Sequence, residues 1–358
     1  MRVLVVAAED SGSLHALHII RHLKGIGDYT FLGTGSPFLS EEMELLYTAR
    51  ELSFVGMEEP LKLLRILKAY LRLKALVRRV DGLILVDYPG VNLRLASAAA
   101  SFGVPVCYFV APQVWAWAPW RIRKVRRVDA LVCLFPFEER FFRERGVNAY
   151  FFGHPLAERL LPMRGRARER AIVLLPGSRG SEVRAHIPVM LEAASRLRKR
   201  YGLSVWLVRA PSVDPALFDG VPSWVCEIPF EDRYLFMSRA SVAVSASGTA
   251  TLELALLGVP TVVVYRASPV SWLVGKRLVK VHFLSIVNIL AGRELFPELL
   301  QERLTADAVE REARSLLFDE KRRENIVAAL ERLALSLGGS EPYRKTAELF
   351  HEVLCKDT

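Results

Sequence analysis

The segment Ser247-Gly248-Thr249-Ala250-Thr251-Leu252-Glu253 brings a glycine, hydroxyls and an acid to the mouth of a helix. Residues 241–245 ahead of it, small and β-branched, predict a short buried strand; residues 252–257 behind it predict a helix, stopped by Gly258 and Pro260. A helix starting here turns unpaired N–H groups and its positive dipole end toward whatever lies in front of Gly248, a place that suits phosphate. Glu253, about one turn in, can accept from the two hydroxyls of a ribose. The unit therefore suggests a nucleoside-diphosphate cradle, and the alternative is an N-capped core helix with an incidental glutamate.

Three further segments sit where predicted strands end. Pro176-Gly177-Ser178-Arg179-Gly180-Ser181-Glu182 follows a strand ending at Leu175. Its glycines let backbone amides close on an anion, and Arg179 can fork onto a diphosphate as charge develops on leaving. A plain turn is the alternative for this loop taken alone. The strand ending at Val86 delivers Asp87-Tyr88-Pro89-Gly90-Val91-Asn92, where Asp87 is either a general base or a cap for the helix after Pro89. The first strand delivers Glu9-Asp10-Ser11-Gly12-Ser13 to the head of its helix. No G-x-G-x-x-G pattern occurs there, which argues against NAD.

The elements that must position these residues alternate between strand and helix along 358 residues, a length that predicts two domains. Strands are predicted at 3–8, 30–33, 82–86, 106–110, 130–134 and 150–152, then at 171–175, 204–208, 224–228, 242–245 and 261–264; after Thr305 the pattern is helical. The break falls at the turn-rich residues 161–166. The expected fold is α/β, with two Rossmann-like domains whose parallel sheets face one another across a cleft, ligands lying at the carboxyl ends of the strands. Residues 1–162 form the first domain, joined by a C-terminal helix at 340–358, and residues 166–335 form the second.

Composition narrows the class. Cys107, Cys133, Cys226 and Cys355 are scattered with no C-x-x-C pair, so neither a zinc site nor a disulfide framework is indicated, and reduced thiols imply a cytosolic protein. Met1-Arg2 runs straight into Val3-Leu4-Val5-Val6, a first core strand with no signal-peptide character. Residues 95–120 carry no formal charge, yet Gly103, Pro105, Pro112 and Pro119 break the run and rule out a membrane span. The net charge of +10 is unevenly placed. Between Leu61 and Arg79 there are basic residues and no acid, with Arg65, Lys68, Arg72 and Arg79 on one helical stripe opposite Leu63, Ile66, Leu67, Tyr70, Leu71 and Val77. Such a helix lies on an anionic membrane, each basic residue contributing on the order of 1 kcal/mol, or else packs internally with a solvated basic face. A second basic run, 121–127, follows the aromatic loop Trp115-Ala116-Trp117-Ala118-Pro119-Trp120. No nucleic-acid recognition pattern accompanies either.

These segments together resemble the lipid-A-disaccharide synthase family of GT-B glycosyltransferases. The resemblance rests on Asp87-Tyr88-Pro89 with Asn92, Pro112-Gln113-Val114-Trp115-Ala116-Trp117, Leu134-Phe135-Pro136-Phe137-Glu138, Gly153-His154-Pro155, residues 174–182, Ser247 to Glu253, and the run from Tyr265 through Lys276-Arg277 to Asn288 and Glu294. It implies inverting transfer of a sugar from UDP-2,3-diacylglucosamine to the 6-hydroxyl of 2,3-diacylglucosamine 1-phosphate at the cytoplasmic face of the inner membrane. By position, Asp87 is the acid/base candidate, with Glu9, Arg179 and Asn288 lining the active cleft. Gly177, Ser178, Arg179, Gly180, Ser247, Gly248, Thr249, Ala250, Thr251 and Glu253 are the UDP contacts. Ser11, Gly12, Asn92, Trp115, Arg266 and Lys276 are expected at the acceptor and its phosphate, and Leu63, Ile66, Leu67, Tyr70 and Leu71 at the membrane. A homodimer is allowed, and no nucleic acid partner is expected. No Asp-x-Asp pair occurs, so cations and a helix N-terminus are expected to replace a metal, and no cofactor is implied. One departure stands out: the family's Gly-Glu-x-Ser-Gly-Asp becomes Ala8-Glu9-Asp10-Ser11-Gly12-Ser13, so the role of the final aspartate is open unless Asp10 substitutes from three residues earlier. A UDP-sugar 2-epimerase of the same fold and a non-catalytic nucleotide-sugar binder are the rival readings.

Overall fold

Runs such as Val3-Leu4-Val5-Val6 and Leu83-Ile84-Leu85-Val86 are apolar at every position because both faces of their sheet are covered, and all eight residues are 0% exposed. The computed structural model describes residues 1–48, 51, 60–268, 272 and 282–356, with side chains described from Arg65 onward in the helix that opens at Pro60. The chain divides into two compact units, Met1–Pro155 with Gly339–Thr358, and Leu156–Gly338.

In the first unit, β1 (Arg2–Val6), β2 (Thr30–Gly35), β3 (Glu44–Thr48), β4 (Gly82–Val86), β5 (Val106–Phe109), β6 (Ala130–Val132) and β7 (Ala149–Tyr150) form one sheet in the order β3-β2-β1-β4-β5-β6-β7. Every pairing is parallel. Alternate residues of β1 serve opposite cores. Leu4 and Val6 meet Leu73, Leu93, Val125 and Phe142 from helices Pro60–Leu76, Pro89–Ala100, Ile122–Val125 and Pro136–Arg143, together with Val77 of the short turn Val77–Arg79 that continues the first of them. Val3 and Val5 meet Ile19 and Ile20 of helix Asp10–Ile26 and Phe350 of helix Pro342–Leu354. The C-terminal helix is further tied by hydrogen bonds from Tyr343 to His15 (2.7 Å) and from His351 to Tyr29 (2.6 Å).

The second unit repeats the plan. β8 (Glu169–Leu175), β9 (Ser204–Val208), β10 (Val225–Ile228), β11 (Ala240–Ala246), β12 (Thr261–Tyr265) and β13 (Glu298–Leu300) are ordered β10-β9-β8-β11-β12-β13, all parallel. Strand order reverses between β1 and β4 in one sheet and between β8 and β11 in the other. In an open α/β sheet these switch points leave a crevice at the carboxyl ends of the strands.

The strands β3 and β13 have no counterpart in the sequence-derived list. Glu44–Thr48 is a half-buried edge segment without clear alternation, and Glu298–Leu300 is only three residues long. The basic helix needs a larger correction. Ile66 (6% exposed), Ala69, Leu73 and Val77 line its inner stripe, and Tyr70 is half-buried against the same core. Ile66 is therefore a core residue, not a membrane contact. Leu67 and Leu71 point outward, 49% and 54% exposed, beside the exposed Arg65, Lys68 and Arg72. The predicted apolar arc was wider than one packing stripe, and the sheet took only the 66/69/73/77 edge of it. The Leu63 side chain lies outside the described residues.

Candidate active site

Each switch point carries one group of the predicted site residues. Beyond β1 and β4, Ala8, Glu9, Gly12, Val86, Asp87, Tyr88 and Pro89 line a pocket of about 140 Å³. Asp87 and Tyr88 both adopt left-handed backbone conformations, each with φ of 49°. For non-glycine residues that costs on the order of 1 kcal/mol each, and surrounding bonds must hold it. Here Asn92 Nδ2 donates to the carbonyls of Val6 (3.3 Å), Val86 (3.2 Å) and Asp87 (2.8 Å), and the Tyr108 hydroxyl also donates to the Asp87 carbonyl. The turn frees the Asp87 carboxylate from capping duty, since Tyr88 occupies the N-cap position and makes no side-chain cap. Desolvation in the pocket raises the Asp87 carboxyl above its ordinary range, the Tyr88 amide opposes this, and the charge of Glu9 adds to it. A carboxylate poised upward in this way is suited to taking a proton.

Asn92 itself is 0% exposed, so the acceptor-contact expectation is corrected: it is a clasp on the turn. Ser13, in the family's aspartate position, is also fully buried; its hydroxyl donates to the Glu9 carbonyl (2.8 Å) and accepts from the Ser36 amide (2.9 Å). Asp10 takes the Ser36 hydroxyl. Ser11 is exposed and Gly12 is buried against Val86. Trp115 is partly buried, its indole donating to Glu138 Oε1 at 3.0 Å. Burial pushes the Glu138 carboxyl up to about 7, against the pull of the Trp115 indole and the Phe135 and Leu134 amides.

In the second unit the loop after β8 is closed on an acid. Glu182 accepts from the Ser178 amide (3.1 Å) and pairs with Arg179 (3.3 Å). Gly177 has φ of +127°, and a Cβ there would lie 2.6 Å from Glu182 Oε2, so only glycine fits this loop. The Arg179 side chain is 73% exposed and available to an anion. After β11, the backbone is extended at Gly248, nothing crowds its α-carbon, and helix Thr249–Leu256 begins. Gly248 and Thr249 are exposed, Ala250 half-buried. The far end of this helix is stabilised by Arg164, which donates to the Ala255 and Leu256 carbonyls, and by Arg168, which donates to those of Leu257 and Gly258. Cations there complement the dipole that points at Gly248. Glu253 accepts from the Tyr234 hydroxyl at 2.6 Å; burial raises its carboxyl, opposed by Tyr234, Arg233 and Arg159.

Three predicted contacts turn out to be internal fasteners. Thr251 is 0% exposed and its hydroxyl donates to the Gly248 carbonyl at 2.7 Å. Asn288 is 0% exposed, donating to Glu298 and the Phe296 carbonyl and accepting from the Leu295 and Phe296 amides, each at 2.8 Å. Glu298 in turn holds the Leu284 and Ser285 amides, and the Leu284 carbonyl receives the Ser247 hydroxyl. Asn288 thus supports the cradle from behind and does not line it. The Arg266 guanidinium donates from Nε and Nη2 to main-chain carbonyls of Gln301 and Leu304, which ties it to its own unit. Lys276 lies outside the described residues. Sequence reasoning missed Tyr234, His186 and Glu298, whose partners are 10 to 80 residues away; Glu182 was legible as an acid in the first turn of a helix.

The lipid-A-disaccharide synthetase family matches residues 3–353. The chain belongs to the lipid-A-disaccharide synthase family. It is 41% identical to the synthase of Myxococcus xanthus, covering 99% of this chain and 97% of that one, and 36% identical to that of Geobacter metallireducens, covering 99% and 98%. Among solved structures, UDP-GlcNAc 2-epimerase from Neisseria meningitidis bound to UDP-GlcNAc is similar with a TM-score of 0.62 at 14% identity over 99% of this chain and 100% of that one. The calicheamicin glycosyltransferase gives 0.61 at 16% identity over 98% and 97%. These confirm the GT-B fold, which transferases and epimerases share. The family match decides between them in favour of a glycosyltransferase.

Proposed function

We propose that the chain transfers 2,3-diacylglucosamine from UDP-2,3-diacylglucosamine to the 6-hydroxyl of 2,3-diacylglucosamine 1-phosphate, giving the disaccharide 1-phosphate and UDP. The observation that carries this is the division of labour between the two switch points: a base-like carboxylate with a raised pKa at one, a cation-tipped loop and a helix N-terminus at the other. In this reading Asp87 takes the proton from the acceptor hydroxyl as it attacks the anomeric carbon, and the bond to the UDP oxygen breaks. Arg179 and the amides at Gly248, Thr249 and Ala250 stabilise the departing diphosphate, and Glu253 receives the ribose. Incubation with both diacylglucosamine substrates and mass detection of the disaccharide tests the reaction. UDP release without dependence on the lipid acceptor would overturn it.

Acylated substrates require the enzyme to meet a bilayer, which we place at the cytoplasmic face of the inner membrane. Among the described residues no helix is long and apolar enough to cross one. The outward Leu67 and Leu71, flanked by Arg65, Lys68 and Arg72, support surface docking. Trp120, 69% exposed, and Trp117, with Arg121 stacked 4.4 Å over its ring, are further exposed apolar and cationic groups of the same unit. Two inserted leucines contribute about 1.5–3 kcal/mol each. The Leu67→Glu, Leu71→Glu pair is therefore expected to weaken partition onto anionic vesicles by more than about tenfold, with UDP affinity intact. Unchanged partition would remove this helix from the membrane.

A further inference from the structure

His186 lies in helix Gly180–Tyr201, is 0% exposed and has both ring nitrogens bonded to main-chain groups. Its Nδ1 is 2.7 Å from the carbonyl of Pro176, and its Nε2 is 2.9 Å from the amide nitrogen of Arg266. A carbonyl only accepts and an amide N–H only donates, so the ring is neutral with its proton on Nδ1. Protonation of Nε2 would set one donor against another. Burial holds the imidazole below its ordinary range, opposed by the Pro176 carbonyl and Glu182 and reinforced by Arg266. Pro176 immediately precedes Gly177, at the end of β8, and Arg266 immediately follows β12. These two strands flank β11, whose end carries Ser247 and Gly248. Ser247 is itself tied to β12, its amide donating to the Val264 carbonyl at 3.1 Å. Arg266 carries the connection on to Gln301 and Leu304 beyond β13.

We propose that His186 is a positioning residue of the nucleotide half-site, a strut that sets the spacing between the Gly177–Gly180 loop and the strand ends flanking Gly248, and thereby the grip on the diphosphate. The inference rests on the reading of this unit as the UDP site. A strut under the diphosphate has a selective signature, because it affects ligands that carry phosphates and leaves the nucleoside alone. The test measures UDP and uridine affinity by calorimetry for the wild type and for His186→Phe, His186→Gln and His186→Asn, well below each variant's unfolding midpoint. His186→Phe is expected to bind UDP about tenfold more weakly, the effect of about one lost hydrogen bond, with uridine affinity unchanged. His186→Gln, whose amide oxygen can still accept from the Arg266 amide, is expected to recover most of the loss, and His186→Asn less. Should the Phe variant fail to fold, the order of Gln above Asn carries the test. UDP binding by His186→Phe equal to wild type, or an equal loss for uridine and UDP, would overturn the strut. A wild-type protein that binds no UDP would instead overturn the nucleotide site itself, and the strut with it.

Discussion

Asp87→Asn is expected to lower turnover by about 10²- to 10⁴-fold, the usual contribution of a positioned general base, while UDP affinity stays at the wild-type value. The substitution is close to isosteric, and the left-handed turn is held through the Asp87 carbonyl by Asn92 and Tyr108, so the pocket keeps its shape. Single-turnover rates together with UDP titration separate the two effects. Only the ionised carboxylate can accept the proton. Because the Asp87 carboxyl is raised, wild-type activity should climb with pH on a limb lying above the ordinary carboxylate range. Glu9→Gln removes a charge that raises it, and should move that limb to lower pH. Turnover of Asp87→Asn within tenfold of wild type would take Asp87 out of the base role.

Arg179→Ala is the second large effect. The guanidinium is mostly exposed and its ion pair with Glu182 at 3.3 Å is of the surface kind that contributes little to folding. Stability should therefore change by less than about 0.5 kcal/mol. Loss of a preorganised group aimed at developing charge costs about 10²- to 10³-fold in kcat. The expected result is thus a fall in kcat of that size with an unfolding midpoint like the wild type's. A kcat within threefold of wild type would show that the diphosphate leaves without help from Arg179, and would shift the burden to the helix N-terminus at Gly248.

These outcomes bear on residues that were legible before the structure. Asp87, Arg179 and Gly248 each follow an apolar run and precede a helix, and both signals are local. The doubly buried strands were equally plain, since a sheet covered on both faces leaves no alternation. Asn92, Asn288 and Arg266 look like ligand contacts by residue type, and the structure bonds all three to main-chain groups of their own unit, Asn288 also to the Glu298 carboxylate. Nothing adjacent in sequence announces that the Arg266 amide will need His186, 80 positions earlier, as its acceptor. The same holds for the basic helix, where periodicity shows an apolar arc but not which edge of it the sheet will claim.

The sequence by itself determined the alternation of strand and helix, the chemistry delivered to the strand ends and, through its motifs, the family. Those are properties of neighbours in the chain, set by periodicity, glycine and proline punctuation, and helix-end chemistry. Only the tertiary structure decided the strand orders, and with them the switch points that put Glu9 beside Asp87 and the Arg179 loop beside Gly248. It also decided which polar residues face a ligand and which are consumed in holding the backbone. Buried polar groups must find partners wherever the fold supplies them, and that supply is fixed by packing across the sheet rather than by position along the chain.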